Sequence, residues 1–197
     1  NIIFDVGQVL VDYDWETYLD SFGFEPAKRE RIAKATFQSP VWDERDRGLY
    51  EEDVYLKQFQ ELDPEDAEDI EKVIRGTGGT IHKRPYADTW VKYLKSKGYH
   101  VYILSNYSSY MLDHTKKELT FRREMDGEVF SCYAKQLKPD AEIYQIILNK
   151  YQLKPEECVF IDDRSENCRG AQEQGIHTIC FKDFKQVTAD LEKLGVK

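Results

Sequence analysis

The chain opens Asn1-Ile2-Ile3-Phe4-Asp5-Val6-Gly7-Gln8-Val9-Leu10-Val11-Asp12. Ile2 to Phe4 is a short apolar run that reads as a buried strand and ends directly on a carboxylate, Asp5. Gly7 permits a tight backbone course before Val9 to Val11 resume the apolar pattern. In an open α/β sheet, ligands sit just beyond the carboxyl ends of the strands, so Asp5 stands where a reacting group would be.

From Pro85 onward, helix and strand patterns alternate. Helices are predicted over 86–96, 109–119, 141–151, 167–174 and 187–194, and strands over 100–104, 128–133, 158–161 and 178–181. Strands separated by such helices predict a parallel sheet covered on both faces, and right-handed crossovers put every strand's carboxyl end on one edge. The first strand joins that sheet. Residues 14–79 show only helix-period segments, over 15–22, 26–37, 51–59 and 64–74, with Gly23 as a stop and Pro26 near a first turn. The expected fold class is therefore α/β. A Rossmann-like core of residues 1–13 and 80–197 carries an α-helical unit, residues 14–79, inserted after the first strand. Gly76, Gly78 and Gly79 lack the preceding strand and the Gly-Lys-Ser/Thr ending of a phosphate loop, and read as a hinge.

Bulk composition narrows the function. The 197 residues include 28 Lys and Arg against 37 Asp and Glu, a net charge of −9. That balance argues against nucleic acid as a partner, because phosphate contacts need clustered basic side chains. No apolar stretch approaches the ~20 residues of a membrane span. The chain opens on a strand rather than on a basic segment followed by an apolar helix, so no signal peptide is expected. Cys132, Cys158, Cys168 and Cys180 form no Cys-x-x-Cys pair, so neither a zinc site nor a disulfide framework is expected and a reducing cytoplasm fits. The four histidines are scattered without metal-ligand spacing.

Four segments converge on the sheet edge. Asp5 ends the first strand, Ser105 and Asn106 end the second, and Asp162 and Asp163 follow the strand at 158–161. Lys138 begins a helix, with Pro139 fixing the backbone at its start. Three carboxylates without bases nearby in sequence repel one another unless a hard cation lies between them, and Mg²⁺ takes oxygen ligands together with a substrate phosphate. Lys138 and the Ser105 hydroxyl then offer positive charge and a hydrogen bond to phosphate oxygens.

The order FDVGQVL, ILSN, LKPD and VFIDDRSEN resembles the four motifs of the haloacid dehalogenase (HAD) superfamily, running from residue 2 to about residue 167. The inserted block resembles that family's helical cap. The Asp-x-Gly opening, WDERDRG in the cap and KPDAEIY after the lysine resemble small phosphatases of the α-glucose-1-phosphate phosphatase type. The resemblance implies Asp5 as a nucleophile that forms an aspartyl-phosphate, with Ser105 and Asn106 holding the phosphate and Lys138 neutralising charge. It also implies Mg²⁺ on Asp5, the Gly7 carbonyl and Asp163, with Asp162 close by or behind.

One departure matters. In many HAD phosphatases the residue two after the nucleophile is a second Asp that serves as general acid and base; here it is Gly7. Such help is typically worth ~10²–10⁴ in rate, so its loss implies a slow enzyme or a good leaving group such as an anomeric phosphate. Asp12 and Asp14 could substitute, but read as solvent-facing or hinge residues. In the cap, Trp42, Arg45 and Arg47 are candidates for the substrate entrance, Arg47 above all as a partner for substrate oxygens; the competing reading is a packing Trp with surface arginines.

The expected protein is a cytoplasmic Mg²⁺-dependent phosphatase, a monomer or weak dimer, acting on a small phosphorylated metabolite such as an aldose 1-phosphate. No nucleic-acid or membrane partner is expected. Two alternatives stay open. A metal-independent haloacid dehalogenase is disfavoured by the Asp162-Asp163 pair and by Gly rather than an aromatic residue at position 7. A non-catalytic phosphometabolite-binding protein would have lost turnover with the acid–base carboxylate.

Overall fold

A computed structural model describes residues 1–196. In chain order the elements are β1 (Ile2–Phe4), β2 (Val11–Tyr13), α1 (Trp15–Asp20), α2 (Pro26–Ala35), α3 (Pro40–Arg47), α4 (Glu52–Leu62) and α5 (Ala67–Arg75). Then follow β3 (Ile81–Lys83), α6 (Ala87–Ser96), β4 (Val101–Ser105), α7 (Ser109–His114), β5 (Gly127–Phe130) and α8 (Ser131–Ala134). The chain finishes with α9 (Ala141–Tyr151), β6 (Val159–Asp162), α10 (Ser165–Glu173), β7 (His177–Cys180) and α11 (Phe184–Lys193).

The main sheet is parallel in the order β5-β4-β1-β6-β7. Its central strands β4, β1 and β6 are buried along their whole length because both faces are covered. Phe4, Ile103 and Ile161 pack with Trp90 and Val91 of α6 and Val187 and Leu191 of α11. Ile3, Tyr102, Leu104 and Phe160 face the other way, onto Ile143, Tyr144 and Ile147 of α9 and Ala171 of α10. β1 lies between β4 and β6, so the loops after these three strands share the crevice where an α/β sheet reverses its order.

Helices α1 to α5 leave this core through β2 and return through β3. They share an apolar cluster of their own, built on Leu19, Ile32, Tyr55, Phe59, Ile70 and Val73. The two crossing segments pair as an antiparallel ribbon, Val11 with Lys83 and Tyr13 with Ile81. Sequence pattern did not reveal this ribbon, because three-residue strands carry too little periodicity.

Other differences have local causes. The helix expected over 109–119 stops at His114, where the Thr115 backbone N–H and hydroxyl both donate to the Met111 carbonyl, at 2.9 and 2.6 Å. The strand expected over 128–133 stops at Phe130, because Ser131 turns into α8. Lys138 lies in the loop before α9 rather than at a helix start; the Lys138–Pro139 peptide is cis and α9 begins at Ala141. Helix α3 was not anticipated, although Pro40 at its first turn and Gly48 at its end are recognised boundary residues. Gly48 has φ +70°, and a Cβ there would lie 2.9 Å from the Cys132 Cα, so both backbone conformation and the close approach of α8 require glycine. Among the described residues, no helix is long and apolar enough to cross a membrane.

Candidate active site

The end of β1 delivers Asp5 into a set of buried polar groups. Its backbone N–H donates to the Ile161 carbonyl at 2.9 Å, which fixes the residue between its neighbouring strands. Its Oδ1 accepts from the Val6 N–H at 2.7 Å and the Ser105 hydroxyl at 2.7 Å, and pairs with the Lys138 Nζ at 2.8 Å. Oδ2 accepts from no group among the described residues. The Lys138 Nζ also reaches Asp162 Oδ2 at 2.6 Å, so one ammonium is shared by two buried carboxylates.

Both Asp162 oxygens are engaged. Oδ1 accepts from the Arg164 N–H and Asn167 Nδ2, at 2.8 and 3.0 Å, and Oδ2 accepts from Asn167 Nδ2 and Lys138, at 3.1 and 2.6 Å. Asn106 clamps the backbone of Lys138 from both sides: its Nδ2 donates to the Lys138 carbonyl at 3.0 Å, and its Oδ1 accepts from the Lys138 N–H at 2.8 Å. Burial pushes the Asp5 carboxyl above the usual carboxylate range, Lys138 pulls it down, and the Asp162 charge adds to the rise. Burial also works against the Lys138 ammonium, but Asp162 and Asp5 outweigh it and hold the lysine protonated. Asp163 is raised by burial first and by the adjacent Asp162 second.

A cavity of about 280 Å³ opens over Asp5. Its floor is Asp5, Gly7, Asn106, Lys138, Asp163 and Arg164; its roof, from β2 and the inserted helices, is Tyr13, Phe37, Trp42, Asp43 and Asp46. One carboxylate oxygen from each of Asp5, Asp162 and Asp163 lies within 4.8 Å of the other two. An all-oxygen donor set of this size suits a hard divalent cation. Asp162 already accepts four hydrogen bonds from three donors, so Asp5 and Asp163 are the less committed carboxylates.

Residues 2–175 match the family model for haloacid dehalogenase-like hydrolases. The chain belongs to this family. Over the full chain, this HAD hydrolase is 25% identical to "Flavin mononucleotide hydrolase 1" of Arabidopsis thaliana, covering 99% of this chain and 77% of that protein. It is 26% identical to "D-ribitol-5-phosphate phosphatase" of Bacteroides thetaiotaomicron, covering 90% and 89% respectively. Against "Bifunctional epoxide hydrolase 2" of Rattus norvegicus the identity is 30%, but the match spans only 51% of this chain and 19% of that protein. A HAD family enzyme of Bacteroides thetaiotaomicron, solved with magnesium and inorganic phosphate, superimposes with a TM-score of 0.75 at 22% identity, covering 95% of this chain and 98% of that one. The shared HAD fold is thus the parallel sheet with helices on both faces.

Within this HAD framework, the structure gathers Asp5, Gly7, Ser105, Asn106, Lys138, Asp162 and Asp163 at one strand edge, but not all of them line the cavity. Asp162 is fully buried behind Lys138, and both of its oxygens accept hydrogen bonds. The Asn106 carboxamide serves Lys138, which leaves it little for substrate. Arg47 lies outside the cavity, with Nε 3.4 Å from Glu44 and Nη1 3.9 Å from Asp140. Arg45 turns inward instead of lining an entrance: it is 1% exposed and pairs with Glu52 through two bonds at 3.0 and 2.6 Å. Trp42 does line the cavity, stacked against Tyr13 at 6.0 Å. Asp12 pairs with Arg84 at 2.8 Å, and Asp14 caps α1 through the Thr17 N–H at 3.0 Å; neither lines the cavity.

Sequence reasoning passed over Tyr13, Asp43, Asp46, Tyr107 and Arg164. Spacing three apart puts Asp43 and Asp46 on one face of a helix, but α3 itself was not expected.

Proposed function

We propose that this HAD hydrolase is a Mg²⁺-dependent phosphatase, with helices α1 to α5 acting as the cap over its active site. The observation that carries the reading is Asp5, whose Oδ1 is fixed by three donors while Oδ2 faces none, at the floor of a cavity shared with Lys138 and Asp163. A carboxylate held in one orientation with one oxygen unengaged is arranged for in-line attack on phosphorus. Lys138 stands beside the attacked position and stabilises the charge on the transferring phosphoryl group, while the Ser105 hydroxyl holds Asp5 Oδ1. Asp162 and Asn106 hold Lys138 there, one through its side chain and the other through its backbone. Asp5, the Gly7 carbonyl and Asp163 would hold Mg²⁺, which offsets charge between nucleophile and phosphate when bound.

The substrate is a small phosphomonoester, and a sugar or polyol phosphate fits best. A cavity of about 280 Å³ is at the lower end of ligand pockets. Its roof combines the Trp42 and Tyr13 rings with the Asp43 and Asp46 carboxylates, and the buried Tyr13 hydroxyl has no hydrogen-bond partner among the described residues. The relative that acts on D-ribitol 5-phosphate by name supports the same class. The test is phosphate release from a panel of phosphomonoesters with Mg²⁺ or with EDTA, for wild type and Asp5→Asn. Release that requires Mg²⁺ and disappears in Asp5→Asn is expected; full activity of the variant overturns the assignment.

A further inference from the structure

A phosphatase that releases a poor leaving group needs a proton donor near the departing oxygen, and no described core side chain lining the cavity supplies one. Of the titratable groups around the cavity, Asp5 is the nucleophile, Asp163 is a metal candidate, and Lys138 and Arg164 are cations. The Tyr107 hydroxyl is engaged with Thr115 at 3.0 Å. Position 7 has no side chain at all, and a Cβ added there would meet nothing within 4 Å. The gap must be filled from above.

We propose that Asp46, on helix α3 in the roof, is the general acid that protonates the leaving oxygen and then the base that activates water; this rests on the phosphatase reading. Asp46 lines the same cavity as Asp5, and none of the ion pairs among the described residues involves its carboxylate. Its backbone is pinned to the core, since the Ser131 hydroxyl donates to the Asp46 carbonyl at 2.5 Å and itself accepts the Tyr107 N–H at 2.9 Å. Beyond it, the Lys135 ammonium donates to the Gly48 carbonyl. The carboxylate is thus presented by a helix anchored at its C-terminal end, not by a free loop. Asp43 lies one turn earlier but is exposed at the rim.

The surroundings suit a proton that comes and goes near neutrality. Burial pushes the Asp46 carboxyl up to about 7; Arg45 opposes the rise, Asp43 and Asp5 add to it, and the Ser108 backbone N–H opposes it. Tyr13 from β2, Tyr107 after β4 and Cys132 of α8 are the other titratable groups within its field.

The step balances. The Asp5 Oδ2 forms a bond to phosphorus as the phosphorus–oxygen bond to the leaving group breaks, and the Asp46 proton passes to that oxygen, releasing an alcohol. The Asp46 carboxylate then takes a proton from the water that attacks phosphorus, which frees inorganic phosphate and restores both side chains.

The test compares kcat/KM, which reports formation of the phosphoenzyme, for an alkyl phosphate and for para-nitrophenyl phosphate with Mg²⁺. The aryl leaving group departs without a proton. Asp46→Asn is expected to lower kcat/KM by about 10²–10⁴ on the alkyl ester and much less on the aryl ester. Gly7→Asp, for which there is space, is expected to restore alkyl activity in the Asp46→Asn background. For wild type, the ratio of kcat/KM on the alkyl ester to that on the aryl ester should fall as pH rises through neutrality, because ionisation of Asp5 affects both esters alike. Equal losses on both esters, no loss, or the same selective loss in Asp43→Asn overturns the proposal while leaving the phosphatase reading intact. No turnover of either ester by wild type overturns both.

Discussion

Replacing Lys138 by Met tests the buried charge arrangement on which the site depends. Met keeps the length of the side chain and its contact over the Phe160 ring, where the lysine Nζ lies 5.4 Å from the centroid. It removes the one ammonium among the described residues that touches both Asp5 and Asp162, whose side chains are 9% and 0% exposed. Water cannot replace it at Asp162. Breaking a buried ion pair from one side costs about 3–5 kcal/mol, because the remaining charge stays desolvated. A domain has about 5–15 kcal/mol of stability in total, and at this size each kcal/mol shifts Tm by about 2–4 °C. Lys138→Met should therefore melt about 6–20 °C lower in EDTA, followed by circular dichroism. The deficit has a defined pH dependence. Without the ammonium, Asp5 loses the group that opposes its burial-raised pKa, so its contribution to stability is present in acid and is lost as pH rises through its folded-state value. Adding Asp162→Asn removes one lone charge and should recover part of the loss, a coupling of about 0.5–3 kcal/mol. A variant that melts within about 2 °C of wild type at neutral pH would show that Lys138 does not hold this pair.

Asn106→Ala removes both bonds to the Lys138 backbone, worth about 1 kcal/mol each, and should lower kcat/KM about tenfold to thirtyfold with Tm reduced. Unchanged kinetics and melting would mean the clamp is dispensable. Gly48→Ala combines left-handed strain of about 1–2 kcal/mol with a clash against Cys132, so denaturant titration should show a lower midpoint. An unchanged midpoint would contradict the close approach of α3 and α8. Glu52→Gln leaves the buried Arg45 guanidinium without its counter-charge, and about 3 kcal/mol or more should disappear from unfolding free energy. Wild-type stability in that variant would show that Arg45 is hydrated rather than enclosed.

The core was legible because its signals are local. Ile2 to Phe4 and Val101 to Leu104 are apolar without interruption, which only a sheet covered on both faces produces, and each is followed at once by a polar residue of the site. Asp5, Ser105 and the Asp162-Asp163 pair were therefore placed at strand ends from sequence, whereas Lys138 was expected at a helix start and lies in a loop. What was illegible depends on distant partners. Asp162 and Asp163 are adjacent in sequence, and nothing local says which one Lys138 and Asn167 consume. Arg45 and Arg47 read alike in WDERDRG, yet Glu52 draws one into the interior of the inserted helices and Asp140 lies beside the other. Asp46 was hidden for the same reason. Its place over Asp5 comes from the docking of α3 on Ser131 and Lys135, contacts that join residues far apart in the chain.

Trapping the covalent intermediate addresses the nucleophile directly. Wild-type protein mixed with substrate and Mg²⁺, quenched in acid within the first turnover and digested, should yield a peptide containing Asp5 that is heavier by one phosphoryl group. The same peptide from Asp5→Asn should be unmodified. Turnover at the full rate with no phosphoryl group ever found on Asp5, or with the group found on another side chain, would contradict the account.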